Sequence, residues 1–227
     1  MREFLLQLCK RRGQAKKPVV EMFDMCQNKL FDQLPNRSEK YKMLETLRDA
    51  GSGKMFLEVE YAAATMKLCK YLEEDGKAEE ATNIIQEIQI ETYGSLEVKD
   101  KVEFILYQMK LVLMKQDFVR CQILSRKISK RHLNQKGLEK LKLQFFNYMI
   151  RYYIHEKMIL DVSKAYQTIF DTLHENPEGL EEEKAQKDSA FQNFVLYLLI
   201  SPYEQTKVDL MKSVDKNYAR SLEQNEQ

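Results

Sequence analysis

Residues 77–88 (KAEEATNIIQEI) decide the fold, because their pattern returns at residues 117–128 (DFVRCQILSRKI) and 158–169 (MILDVSKAYQTI), after intervals of 40 and 41 residues. Each segment reads as the second helix of a pair and follows a very short turn. A period near 40 built from paired helices is typical of an α-solenoid. We predict an all-α, right-handed α-solenoid of stacked antiparallel helix pairs, similar to tetratricopeptide repeats, with no sheet. Three columns of small or apolar residues align without gaps: Ala81, Cys121 and Val162; Ile84, Leu124 and Ala165; Ile88, Ile128 and Ile169.

The composition agrees with an all-helical chain. The 227 residues include only 7 Gly and 4 Pro, too few for the frequent turns of a sandwich or barrel. A hydrophobic content of 44% is enough for a core, and a net charge of +1 argues against a nucleic-acid partner. The longest apolar run, residues 194–200, is too short to span a membrane, so we expect no membrane partner. The four widely spaced cysteines fit reduced, mostly buried thiols rather than a disulfide framework or metal site.

Proline, glycine and polar turn residues divide the chain into segments of normal helix length. Two of the segments, 96–115 and 138–156, carry two apolar stripes each, which indicates helices covered on both sides. We expect N-terminal arm helices in residues 1–54, a helical-repeat solenoid in 55–175, and a further helix pair with a polar tail in 176–227. The predicted helices lie near residues 2–12, 18–34, 38–50, 55–74, 77–91, 96–115, 118–132, 138–156, 158–173, 184–200 and 204–220.

Several short motifs resemble catalytic or binding motifs, but their residues do not have the required spacing. Residues 51–54 (GSGK) lack the remaining positions of a phosphate-binding loop, so we interpret them as a turn between helices. His155 and Glu156 begin like a zinc-protease helix, but Ile159 stands where the second His belongs. Four tyrosines and many methionines are better explained by packing than by a ligand. We therefore expect no catalytic, cofactor or metal residue, no small-molecule substrate and no enzyme. The tyrosines are Tyr41, Tyr61, Tyr71 and Tyr107.

The basic cluster Lys10-Arg11-Arg12, followed by Lys16-Lys17, leaves three interpretations open. It fits a nuclear-import signal, a patch for an acidic partner, or a solvated helix end. We favour the solvated helix end.

The sequence resembles one family closely along residues 4–212. Residues 87–96 (EIQIETYGSL) and 102–109 (VEFILYQM) carry the resemblance to the non-ATPase regulatory subunit 12 family of the proteasome lid. Further matching stretches are LQLCKRR at 6–12, TLR at 46–48, GKMFLEVE at 53–60, EKLKLQFFNYM at 139–149 and VLYLLISP at 195–202.

The resemblance implies a non-catalytic scaffold subunit, cytoplasmic and nuclear, that supports ubiquitin-dependent protein degradation through protein contacts. Its partners would be other lid subunits and, beyond them, base or core-particle subunits. Family members join a helical-repeat arm to a PCI domain, a helical bundle plus a winged helix. Because residues 211–227 are mostly polar, we expect this chain to contain only the start of that region and to lack the PCI domain.

Two other functions stay open as alternatives. The related subunit of the COP9 signalosome should carry a similar arm, although Gly94-Ser95 and Gln108-Met109 favour the proteasome. A free-standing helical-repeat adaptor would instead expose polar side chains along successive first helices, whereas the first helices here are apolar on two sides.

Overall fold

The computed structural model describes residues 2–10, 15–175 and 186–218, and all secondary structure in these ranges is helical. Between Asp117 and Phe118 the chain divides into two compact units. The all-α prediction is confirmed for the described residues. Within those ranges, no helix combines the length and the apolar character that a membrane span requires.

In its described residues, 2–10 and 15–117, the first unit contains seven α-helices. Each long helix packs against the next one along the chain, α4 on α5, α5 on α6 and α6 on α7, while α1 packs on α4. Short connections between packed neighbours give the antiparallel pairs of an α-solenoid. The elements are α1 (Arg2–Lys10), α2 (Lys16–Asp24), a π-helical turn (Met25–Leu30), α3 (Phe31–Gln33), α4 (Arg37–Gly51), a 3-10 turn (Met55–Leu57), α5 (Glu58–Glu74), α6 (Ala78–Gln86), a 3-10 turn (Ile90–Thr92) and α7 (Val98–Met114).

Six α-helices lie in the described part of the second unit, residues 118–175 and 186–218. Helix α11 is central, with α10 packed on one side and α12 on another. Its core is rich in aromatic rings contributed mainly by α11 and α12. The helices are α8 (Phe118–Lys127), α9 (Lys130–Leu133), α10 (Glu139–His155), α11 (Ile159–Glu175), α12 (Gln186–Ile200) and α13 (Gln205–Asn217).

The predicted repeat appears in the helices and in the turns that follow them. Helices α5, α7 and α10 are each 17 residues long. Each ends in a turn whose second residue has positive φ: +75° at Gly76, +59° at Gln116 and +58° at Lys157. In all three turns successive N–H groups donate to carbonyls four, three and five residues earlier. The helices therefore end in the same Schellman-type motif at intervals of 40 and 41 residues.

The aligned columns of the repeat lie in the core. All nine residues are buried except Ile84, which is half-buried. Ala81, Cys121 and Val162, the first of the three columns, are fully buried. The superhelical stacking of the three pairs, its right hand and the three-part division at residues 54 and 175 stay predictions.

Three predicted helix boundaries need correction. The helix predicted at 18–34 begins at Lys16, because Pro18 occupies the first turn, where its missing N–H has no intrahelical partner to lose. The helix predicted at 77–91 ends at Gln86, and the chain then turns so that Ile88 and Ile90 both enter the core. The helix predicted at 118–132 is interrupted between Lys127 and Lys130.

The cysteines agree with the sequence prediction. Cys26, Cys69 and Cys121 are buried, Cys9 is partly buried, and all four are free thiols. Burial raises the pKa of the Cys69 thiol to about 12, which keeps it protonated and unreactive at neutral pH.

Candidate protein–protein interface

Helix α12 presents an apolar face to solvent. Leu196, Leu199 and Ile200 are 53%, 58% and 59% exposed, and Tyr203, just beyond the helix, is 85% exposed. The spacing of Leu196, Leu199 and Ile200 places these three residues on one side of the helix. Exposed apolar residues that cluster in this way mark interaction surfaces more often than isolated ones do.

The opposite side of α12 is fixed to α11. The Ser163 hydroxyl donates a buried hydrogen bond of 3.0 Å to the Phe194 carbonyl. The rings of Tyr166 and Tyr197 stack with centroids 5.7 Å apart. Because α11 packs against this side of α12, Leu196, Leu199 and Ile200 lie on the far side, and within the described residues they stay exposed.

Tyr218 ties the end of α13 to the same support. Its hydroxyl donates to Asp171 Oδ1 at 2.6 Å and accepts from Gln167 Nε2 at 3.2 Å. Its ring lies 5.7 Å from that of Phe170 and 5.9 Å from that of Phe194. Burial raises the pKa of Tyr218 to about 12 and raises the pKa of the Asp171 carboxyl above its ordinary value. No sequence pattern pointed to Tyr218, and the only local signal is an aromatic residue within the mostly polar stretch 211–227.

The glycine-rich stretch at 51–54 ends one helix and leads into the next. Gly51 is the last residue of α4, and Gly53 has a φ of +73°. The Lys54 ammonium donates to the Ala50 carbonyl at the end of α4, so it acts as a helix cap. The interpretation as a turn between helices is confirmed.

The three histidines lie apart on exposed positions. His155, at the end of α10, stacks on Phe118 with ring centroids 3.8 Å apart. His132 lies in α9, and His174 lies near the end of α11 with its ring 5.8 Å from that of Phe170. In the described part of the chain no group of three or more His, Cys, Asp or Glu side chains could hold a metal ion.

The four tyrosines are half-buried and take part in contacts between helices. Tyr71 packs edge-on against Phe31, with centroids 5.5 Å apart. The Tyr107 hydroxyl donates to Glu73 at 3.1 Å, and the Tyr41 hydroxyl donates weakly to Glu80 at 3.4 Å. These contacts agree with the packing interpretation.

The basic cluster near the N-terminus is described only in part. Arg11 and Arg12 lie outside the described residues, while Lys16 and Lys17 are exposed at the start of α2. Its three interpretations stay open.

Two residues within the family-like stretches join helices that are distant in sequence. The Gln108 amide, almost fully buried in α7, donates to the Ile85 and Ile88 carbonyls at 2.8 and 3.1 Å, where α6 ends. Arg48 of α4 pairs with Glu87 at 3.1 Å. No local sequence pattern predicts either contact, because the partners lie 20 or more residues away.

Comparisons with known proteins identify the family of the chain. The family model "PSMD12/CSN4, N-terminal" matches residues 1–176. The 26S proteasome regulatory subunit RPN5 of Saccharomyces cerevisiae is 32% identical, over 100% of this chain and 50% of that protein. The 26S proteasome non-ATPase regulatory subunit 12 of Dictyostelium discoideum is 30% identical, over 93% of this chain and 46% of that protein.

A third relative covers a similar range. The 26S proteasome non-ATPase regulatory subunit 12 homolog A of Arabidopsis thaliana is 32% identical, over 96% of this chain and 53% of that protein. The chain spans about half the length of the curated relatives it matches. As the resemblance to non-ATPase regulatory subunit 12 predicted, the chain belongs to the PSMD12/CSN4 family.

Proposed function

We propose that the chain is a helical arm of a non-catalytic structural subunit of the proteasome regulatory-particle lid. In this role it supports ubiquitin-dependent protein degradation through protein contacts alone. The observation that carries the proposal is the similarity, over 93–100% of the chain, to three proteins named as 26S proteasome regulatory subunits. The partners are other lid subunits, with base or core-particle subunits as further contacts. Small molecules, nucleic acids and membranes are not partners, and the chain acts in the cytoplasm and the nucleus.

The contact chemistry in the described residues supports a scaffold. Polar groups inside the units bond to neighbouring helices, as Gln108 and Ser163 do. The exposed face of α12 offers Leu196, Leu199 and Ile200 to a partner. A partner subunit that covers this face would bury apolar surface at about 25 cal/mol per Å².

Affinity purification of the tagged chain from cells, followed by mass spectrometry, tests the proposal. We expect enrichment of other regulatory-particle subunits and a loss of that enrichment in Leu199→Lys, which places a charge on the apolar face. The matched control is Asn147→Lys, which adds the same charge at an exposed polar position of α10. Both variants should melt like the parent chain. Recovery without regulatory-particle subunits would contradict the proposal.

The second candidate is the COP9 signalosome, because the matching family model also includes its related subunit. The same purification separates the two functions: signalosome subunits recovered in place of proteasome subunits would favour it. In either case the purified chain should show no peptidase, ATPase or deubiquitinase activity. Turnover that survives repurification would contradict the non-catalytic assignment.

A further inference from the structure

A cleft with a volume of about 280 Å³ lies between α9, α10 and α11 in the second unit. Each helix contributes a lysine to its wall, Lys130 from α9, Lys142 from α10 and Lys164 from α11. Rings of α10, those of Phe146 and Tyr153, line the same cleft. It therefore combines positive charge with apolar surface in one small volume.

The charge in the cleft is only partly neutralised. Asp161 also lines it, with Oδ1 at 3.7 Å from the Lys164 Nζ. An ion pair of that length between partly exposed groups is weak. Three ammonium groups against one carboxylate leave the lining with a net positive charge, which attracts an anionic ligand.

The segment that supplies Lys130 and Lys142 is itself mostly basic. Residues 126–142 carry one acidic residue, Glu139, whose carboxylate accepts hydrogen bonds from the Gly137 N–H at 2.9 and 3.1 Å. The same segment carries seven lysines and arginines, so it is strongly basic although the whole chain has a net charge of only +1. These basic residues are Arg126, Lys127, Lys130, Arg131, Lys136, Lys140 and Lys142.

The rings of the cleft are held in place by their neighbours. Phe146 packs edge-on against Phe145, with centroids 5.3 Å apart, and Tyr153 packs at 60° against Tyr152, at 5.6 Å. Both are half-buried, so each offers only part of its surface to the cleft. That surface suits an aliphatic side chain better than a stacked nucleobase, which needs an open ring face.

We propose that this cleft binds an acidic peptide segment of a partner protein, with carboxylates on the lysines and an aliphatic side chain on Phe146 and Tyr153. The volume, just below the range of about 300–1,000 Å³ for small-molecule pockets, fits a few side chains. The charged groups at the wall are ammonium groups rather than the forked guanidinium that favours phosphate. The proposal rests on this geometry and does not depend on the lid assignment.

Fluorescence anisotropy with the full chain and the fluorescein-labelled peptide EELEELEE tests the cleft. The peptide QQLQQLQQ, which keeps the leucines and removes the charges, should bind at least about tenfold more weakly, a difference of about 1.4 kcal/mol. Binding should also weaken when the ionic strength rises from about 0.01 M to about 0.15 M, because the Debye length falls from about 30 Å to about 8 Å. Equal binding of the two peptides by the unmodified chain would overturn the proposal without any variant.

Paired variants locate the site. Replacing Lys130 and Lys142 by Gln should weaken binding of the acidic peptide by about tenfold, while replacing both by Arg should preserve it. The matched control replaces Lys29 and Lys99, two exposed lysines of the first unit, by Gln and changes the net charge equally. Equal losses in the test and control pairs would show a nonspecific charge effect and overturn the assignment. If an oligouridylate of the same length binds more tightly than the acidic peptide, and the same Lys→Gln pair abolishes that binding, the ligand of the cleft is a nucleic acid and the proposal is overturned.

Discussion

The repeated turns after α5, α7 and α10 lead to a quantitative prediction about stability. The residue with positive φ is Gly76 in the first turn but Gln116 and Lys157 in the other two. A residue with a Cβ adopts this left-handed conformation at a cost of roughly 1–2 kcal/mol. We therefore expect Gly76→Ala to destabilise the chain, and Gln116→Gly and Lys157→Gly to stabilise it.

The structure allows the magnitude to be worked out. A Cβ added at Gly76 would meet no atom within 4 Å, so the cost of Gly76→Ala is purely conformational. Glycine loses about 0.5–1 kcal/mol more than alanine on folding, which offsets part of the penalty. The expected net effect is about 0.5–1 kcal/mol, destabilising for Gly76→Ala and stabilising for Gln116→Gly.

Urea unfolding followed by circular dichroism measures the effect. With a slope of about 2–3 kcal/mol per M, the midpoint should shift by roughly 0.2–0.5 M. Gly94→Ala is the matched control, since its added Cβ also meets nothing within 4 Å and its φ lies outside the left-handed region. It should be neutral or slightly stabilising. An unchanged midpoint for Gly76→Ala, or an equal loss in Gly94→Ala, would refute the reasoning.

Three further predictions concern buried groups. Ala81→Lys should destabilise the chain by several kcal/mol, because Ala81 is fully buried and its carbonyl lies 3.4 Å from the Cys69 Sγ. Lys77→Ala removes only an exposed ion pair and should change the stability by no more than about 0.5 kcal/mol. Equal urea midpoints for the two variants would contradict the packing assignment. Gln108→Glu should be far more destabilising than Gln108→Leu, because a carboxylate would face two carbonyl oxygens, and thermal melts showing the two variants equal would refute the donor role. The pKa of Asp171 is raised in the folded chain, so ionisation of its carboxyl disfavours the folded state. The protonated carboxyl therefore stabilises the fold below the ordinary pKa of 3.8, and this contribution is lost as the pH rises through the pKa of the folded state. Asp171→Asn should therefore be more stable than the parent chain at pH 7 and lose this advantage near pH 3–4, and a pH-independent difference in urea melts would contradict it.

Much of the fold follows from local sequence patterns. Helix ends coincide with the few breakers, as at Gly51 and Gly76, because glycine ends helices at low cost. The 40-residue period aligned Ala81, Cys121 and Val162, and the structure buries all three. The periodicity of apolar residues indicates which side of a helix is buried, so these features can be predicted without the structure.

The candidate surfaces could not be read in the same way. Residues 194–200 form the longest apolar run, and the sequence does not distinguish its covered residues from its exposed ones. Leu198 is buried while Leu199 is exposed, because α11 covers one side of α12. The lysine cleft was missed because Lys130, Lys142 and Lys164 come from three helices that only the tertiary fold brings together.

The sequence by itself determined the helical class, the repeat and the family. Contacts between distant residues decided the rest, and no local pattern encodes them. The π-helical turn at Met25–Leu30 is an example. The backbone carbonyl of Gln27 accepts a hydrogen bond from the Lys67 ammonium at 2.8 Å, and the side-chain amide of Gln27 donates to the backbone carbonyl of Glu60 at 2.6 Å. Such hydrogen bonds are stronger when they are buried between helices, where the local dielectric is low. Which backbone and side-chain groups form them therefore depends on the tertiary structure.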